Sequence, residues 1–221
     1  MSNEAIFVTD EAWHLLRKHF TMNEGLFDQI EQGRIVEIRM GDQPERSTEL
    51  EEIQQALKDI RQSWTTMQQL PKWQVCLLWS VAPQIDAMLQ RFPKNALMLH
   101  ILQAKLFTWF EQTLIDFEQE QMQEYLLVND ITTQMSETKN FSMELRIGRI
   151  DQAAFEQLVQ AIMVLRTTWR GQTTLPRLAA WLFILVPLQS WNASGRSKEQ
   201  KGHISAMKLQ LYSLIEACLC D

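Results

Sequence analysis

Glycine and proline are scarce in this chain, with seven and six among 221 residues. All-β folds spend both residue types on many turns, so their scarcity points to helices. Only three cysteines occur: Cys76 inside an apolar run, and Cys218 and Cys220 near the carboxy end. That set builds no disulfide framework and suits a reducing cytoplasm, where an apolar setting keeps Cys76 buried and inert. The amino-terminal stretch "MSNEAIFVTDEAW" has no basic segment followed by an apolar one, so no secretory signal is read there. The longest apolar runs, residues 75–82 and 178–188, reach about half of the ~20 residues a helix needs to span a bilayer. They read as buried helices.

Motifs of known chemistry are equally sparse. The glycines stand singly and form neither a Gly-x-Gly-x-x-Gly nor a Walker pattern, and no nucleophile elbow is present. Glu11 and His14 have the Glu-x-x-His spacing of di-iron bundles, which require two such motifs and two further carboxylates. The pair "CLC" at 218–220 has no nearby Cys or His block to complete a tetrahedral site. Asp116, Glu120 and Glu124 share a helical face, as a solvated surface does. No metal, cofactor or catalytic residue is assigned on this basis.

What the chain does have is an echo of itself. "QALKDIRQSWTTMQQLPK" (55–72) returns as "QAIMVLRTTWRGQTTLPR" (160–177), an offset of 105. Eight positions between 50 and 79 recur identically: Glu51, Gln55, Ala56, Arg61, Trp64, Leu70, Pro71 and Leu77. The apolar stripe is kept at Ile53/Leu158, Leu57/Ile162 and Ile60/Leu165. "EIRMG" (37–41) matches "ELRIG" (144–148), and "HILQAKL" (100–106) matches "HISAMKL" (203–209). Three ordered blocks indicate duplication. Two copies make a fused pseudo-dimer, since a solenoid needs three or more repeats.

The expected fold is therefore mainly α, an internally duplicated helical bundle of pseudo-two-fold symmetry. Each unit reads helix–strand–helix–helix–helix, with the first at 1–110 and the second at 111–221. Leu50, Ile53, Leu57, Ile60, Trp64 and Met67 step by three and four, predicting a helix over 48–70 with a capping box at Thr48 and Glu51. Pro71 ends it and opens the next helix, which Pro83 kinks. A long helix over 95–128 joins the halves. Residues 34–41 and 143–150 alternate apolar and polar side chains and predict two short strands paired with each other. The polar stretch 189–203 reads as a loop.

Charge is mild overall, at −6, but unevenly placed. Residues 111–138 hold seven acids and no base, whereas 139–208 hold ten Lys or Arg against four acids. The duplicated positions supply the candidate site residues. Arg61 with Trp64, and Arg166 with Trp169, are spaced for a guanidinium to cover an indole face. Lys72 and Arg177 follow the shared Leu-Pro at helix starts that favour an anion. His100 and His203 recur in register. Eight tryptophans are many, and Trp64, Trp73, Trp79, Trp109, Trp169 and Trp181 fall in helical patterns, which predicts core positions with one or two at an interface.

The reading that follows is a non-catalytic cytoplasmic protein-binding module, an adaptor, chaperone-like protein or immunity-type inhibitor. It acts through a helical surface or a groove between the halves and takes another protein as partner. A nucleic-acid-associated regulator using residues 139–208 comes second, and an enzyme with an unrecognised site third. The binding reading requires Lys72 with Arg177, or Arg61 with Arg166, to be exposed and related across a pseudo-two-fold cleft.

Overall fold

The computed structural model of the protein describes residues 3–21, 25–35, 48–65, 67, 69–114, 151–188 and 198–220. These are mainly helical, with one two-stranded antiparallel sheet. They fall into two compact units, Met1–Gln68 with Leu77–Asp116, and Gln69–Cys76 with Phe117–Asp221. Among the described residues, no helix is long and apolar enough to cross a membrane.

The first unit is built on α1 (Asn3–Thr21), α2 (Leu26–Glu31), α3 (Thr48–Trp64), α5 (Val81–Arg91) and α6 (Ala96–Leu114). On α3 the predicted stripe is buried at Leu50, Ile53, Leu57, Ile60 and Trp64, whereas its last member, Met67, lies past the helix end and is exposed. It packs against α1, whose Ala12, Trp13, Leu16, His19 and Phe20 are buried, and against α6. The Trp13 and Trp64 rings meet at 5.5 Å and 40°. Phe20 joins Phe27 at 6.0 Å and meets Phe110 edge-on at 6.2 Å. Burying each of these side chains contributes roughly 1.5–3 kcal/mol, which is why the stripe decides where the helix sits. At Gly25 the chain folds back on the end of α1 so closely that a Cβ would stand 2.2 Å from the Lys18 carbonyl oxygen.

The second unit contains β1 (Gln69–Pro71), the first turn of α4 (Lys72–Trp79), α7 (Gln152–Trp169), β2 (Thr174–Pro176), α8 (Arg177–Leu188) and α9 (Lys198–Leu219). Asp151 caps α7, its Oδ1 accepting the Ala154 amide at 3.0 Å and so satisfying one of the free donors of the first turn. Phe155, Leu158, Ile162, Leu165 and Trp169 form the buried stripe of α7. It packs on α9, which buries Ile204, Met207, Leu211, Tyr212 and Ile215. The apolar run expected to be a buried helix is α8, with Ala179, Ala180, Phe183, Ile184, Leu185, Val186 and Leu188 inside. Gly171, at φ +72°, reverses the chain after α7, a conformation that costs glycine nothing.

β1 and β2 pair in the register Gln69↔Pro176, Leu70↔Leu175, Pro71↔Thr174. The pairing is symmetric about Leu70 and Leu175, which are both fully buried. Each strand is three residues long, and a proline is tolerated in each because a two-stranded sheet has free outer edges.

The structure differs from expectation at several points. The described residues hold a sheet at 69–71 and 174–176, which neither of the expected strands, 34–41 and 143–150, covers. Arg34 and Ile35 are not in a strand, and the rest of both segments lies outside the described residues. The helix over 48–70 ends at Trp64, and Pro71 belongs to β1. The break expected at Pro83 falls at Ser80, between α4 and α5. A proline has no amide hydrogen and crowds the carbonyl four residues back, so Pro83 sits in the first turn of a new helix rather than bending an old one. Finally, residues 198–203 are the opening of α9 and not loop. The helix expected over 95–128 is described as far as Leu114, and its continuation lies outside the described residues.

Candidate functional site

The strand–helix junctions carry Lys72 and Arg177, and both are buried. Lys72 is 6% exposed and Arg177 2%. Lys72 begins α4 directly after β1, so the strand pairing carries its side chain to the end of α7. Its Nζ donates to the Trp169 carbonyl oxygen at 2.9 Å, and its backbone amide donates to the Thr173 carbonyl at 2.8 Å. The last carbonyls of a helix lack intrahelical partners and carry the negative end of its dipole. An ammonium group there meets both needs. The Trp169 carbonyl also accepts the Gln172 amide at 3.1 Å, and the turn after α3 repeats this with Met67 donating to the Trp64 carbonyl at 3.1 Å.

The other predicted positions divide cleanly. Trp64 and Trp169 are core residues, the latter edge-on to Phe183 at 6.3 Å. Arg61 and Arg166 are exposed on α3 and α7. His100 is exposed on α6, its Nδ1 3.4 Å from Gln103 Oε1. His203 is exposed on α9, its Nε2 3.0 Å from Gln152 Oε1 across the packed α7–α9 pair. Glu11 and His14 lie on the solvent side of α1, and Asp116, Glu120 and Glu124 lie outside the described residues. Of the tryptophans expected mostly in the core with one or two outside it, Trp73 is 47% exposed in the first turn of α4, while Trp13 and Trp79 are buried.

The outward face of α7 is chemically distinct. Met163 is 49% exposed three residues before exposed Arg166 and seven before exposed Arg170, and Val164, 62% exposed, points to the adjoining side of the helix. No carboxylate follows Glu156 on this helix. On neighbouring α9, Leu209 is 64% exposed. Large apolar side chains left in water beside exposed cationic side chains mark a surface that gains by being covered.

Two further clusters were not legible in sequence. In the first unit His19 is buried, and its Nε2 lies 2.8 Å from Glu52 Oε2, which also takes Lys18 Nζ at 3.3 Å. Burial holds the His19 pKa below its ordinary value despite the opposing pull of Glu52. The hint was a histidine at a position continuing the Leu16 stripe, where a polar group needs a partner. In the second unit the Cys76 and Cys220 sulfurs approach to 3.5 Å. Cys76 is half-buried rather than sealed in the core, and its thiol is pushed up to about 12 by burial, then by Cys220 and Glu216. Nothing in sequence relates residues 144 apart. Cys218 points the other way, buried, with its thiol donating to the Ile162 carbonyl at 3.6 Å.

No family model, no curated protein and no solved structure matches this chain.

Proposed function

We propose that the protein is a non-catalytic protein-binding module that docks an acidic amphipathic helix on the outward face of α7. The carrying observation is the exposed set Met163, Val164, Arg166 and Arg170, apolar and cationic with no acid interleaved. A partner helix with apolar residues at i, i+3 or i+4 and carboxylates beside them complements it on both counts. The buried Lys72 and Arg177 act as struts in this reading, and Arg166 is the duplicated residue that meets the partner. Cytoplasmic residence fits a chain whose neighbouring thiols stand unbonded.

The same reading takes the chain as two copies of a roughly 105-residue unit, 1–110 and 111–221. Correspondences at one offset of 105 support it: helices ending at Trp64 and Trp169, strands at 69–71 and 174–176, and helices starting at Lys72 and Arg177. The copies differ where the proposed surface lies. Met163 and Val164 stand at the positions of Lys58 and Asp59 on α3. Asp59 there accepts a hydrogen bond from Gln55 at 2.9 Å, as an ordinary solvated face would.

The test is a tagged pull-down from nuclease-treated host extract, with wild type beside the double variant Val164→Glu, Arg166→Glu. Both sites are exposed, so the variant should melt like wild type. One protein captured by wild type and lost by the variant is the expected result. Equal capture by both overturns the surface assignment. Capture that disappears with nuclease moves the function to nucleic acid and the basic 139–208 region.

A further inference from the structure

We propose that Cys76 and Cys220 are a reversible oxidation site, closed into an intramolecular disulfide by hydroperoxides. The geometry is nearly that of the product. The sulfurs stand 3.5 Å apart, and a disulfide requires about 2.05 Å, so an approach of about 1.5 Å completes the bond. Small side-chain rotations cover that distance. The flanking backbone is set on one side by α4 and on the other by the last turn of α9, where the Cys220 amide donates to the Glu216 carbonyl at 2.9 Å.

Exposure divides the roles. Cys220 is exposed and reaches a dissolved peroxide, whereas Cys76 is half-buried. In the first step the Cys220 thiolate attacks the peroxide. An S–O bond forms, the O–O bond breaks, and the alcohol (or water, for hydrogen peroxide) departs with a proton, leaving a sulfenic acid. Cys76 sulfur then attacks Cys220 sulfur. The S–S bond forms, the S–O bond breaks, and hydroxide leaves with the Cys76 proton as water. The two thiols lose two electrons and the peroxide gains them. A raised thiol pKa keeps Cys76 protonated, which argues against it as the thiol that first attacks the peroxide; in the second step it must give up its proton to the departing hydroxide. Cys218, two residues away, does not compete because its thiol is buried against the Ile162 carbonyl. A dithiol reductant reverses the bond by exchange.

The bond would tie the 69–76 segment to the final helix of the same unit and close a loop between residues 144 apart. Such a link restricts the unfolded chain and should raise the melting temperature.

The experiment treats the full chain with stoichiometric hydrogen peroxide and reads intact mass, thiol titration in denaturant and non-reducing peptide mapping. The expected result is loss of two hydrogens, one titratable thiol left of three, a Cys76–Cys220 peptide, and a raised melting temperature restored by dithiothreitol. Cys218→Ser should behave as wild type in the mapping. Cys76→Ser should instead accumulate a sulfenic acid at Cys220, trapped by a cyclic 1,3-dione. Three thiols surviving treatment would overturn the proposal, as would a Cys218–Cys220 link, an intermolecular dimer, or unchanged mass loss in Cys220→Ser.

Discussion

Replacing Lys72 by methionine separates a strut from a ligand site. The substitution keeps an unbranched apolar stem as far as Cε, in a side chain that is 6% exposed, and removes the terminal ammonium group. A hydrogen bond from a charged donor contributes about 1.5–3 kcal/mol, and a cation at a helix carboxy terminus adds roughly 0.3–1 kcal/mol. Two terms reduce the loss. Methionine escapes the cost of burying a charge, and the Trp169 carbonyl keeps the Gln172 amide at 3.1 Å. The net cost should be about 1–2 kcal/mol, or about 2–8 °C in melting temperature for a chain of this length. Calorimetry and urea titration measure it, with the urea slope unchanged because the exposed area on unfolding is the same. Added salt should not erase the difference, since a buried contact is weakly screened. A Lys72→Met protein melting within a degree of wild type would refute the strut. Partner capture lost at unchanged stability would make Lys72 a binding residue after all.

The remaining expectations are simpler. His19 has a folded pKa below 6.5, so in the window between the two values the unfolded chain holds the extra proton. Stability is therefore full above about pH 6.5 and falls as pH drops through the folded value. His19→Gln should flatten that slope in melts between pH 7 and 5, with Glu52, Glu49 and Lys18 as the neighbouring charges. Gly25→Ala places a methyl 2.2 Å from one backbone oxygen and 2.8 Å from another, and should cost about 2 kcal/mol or more in urea midpoint stability. Ile60→Ala empties a fully buried site on α3 and should cost about 2–5 kcal/mol by the same titration. Arg170→Ala, at the exposed residue just after α7, should change stability by less than about 0.5 kcal/mol.

The helical stripes were legible because period 3.6 runs over five turns of α3, and the side chains it selects are those the core takes. The sheet was not. A three-residue strand holding a proline offers no alternation to read, and its stability comes from a partner 105 residues away. The start of α9 was hidden by its own exposure. Residues 198–203 all face solvent, so their composition matches a loop although their backbone is helical. The recurring Lys72 and Arg177 were visible as positions, but their burial depends on that same distant pairing. Exposure was the property the sequence could not supply, and it reverses the ranking of the candidates. Lys72 and Arg177 go inside, and Met163, Val164 and Trp73 come out.

That reversal bears on where a chain duplicated as proposed would carry its function. On that proposal, positions buried in both copies answer to what both must do, which is fold. Trp64 and Trp169, Leu70 and Leu175, and Lys72 and Arg177 are buried in each. The Leu70–Leu175 pair lies at the centre of a symmetric register, as a residue on a local dyad must. A binding surface for a single partner is under no such constraint, because one copy suffices. It is then expected where equivalent exposed positions have parted. Lys58 and Asp59 against Met163 and Val164 is such a parting, from two charged residues to two apolar ones on the same helical face. In the pull-down variant Val164→Glu therefore tests a difference between the copies, while Arg166→Glu and Lys72→Met test positions where both carry a cation.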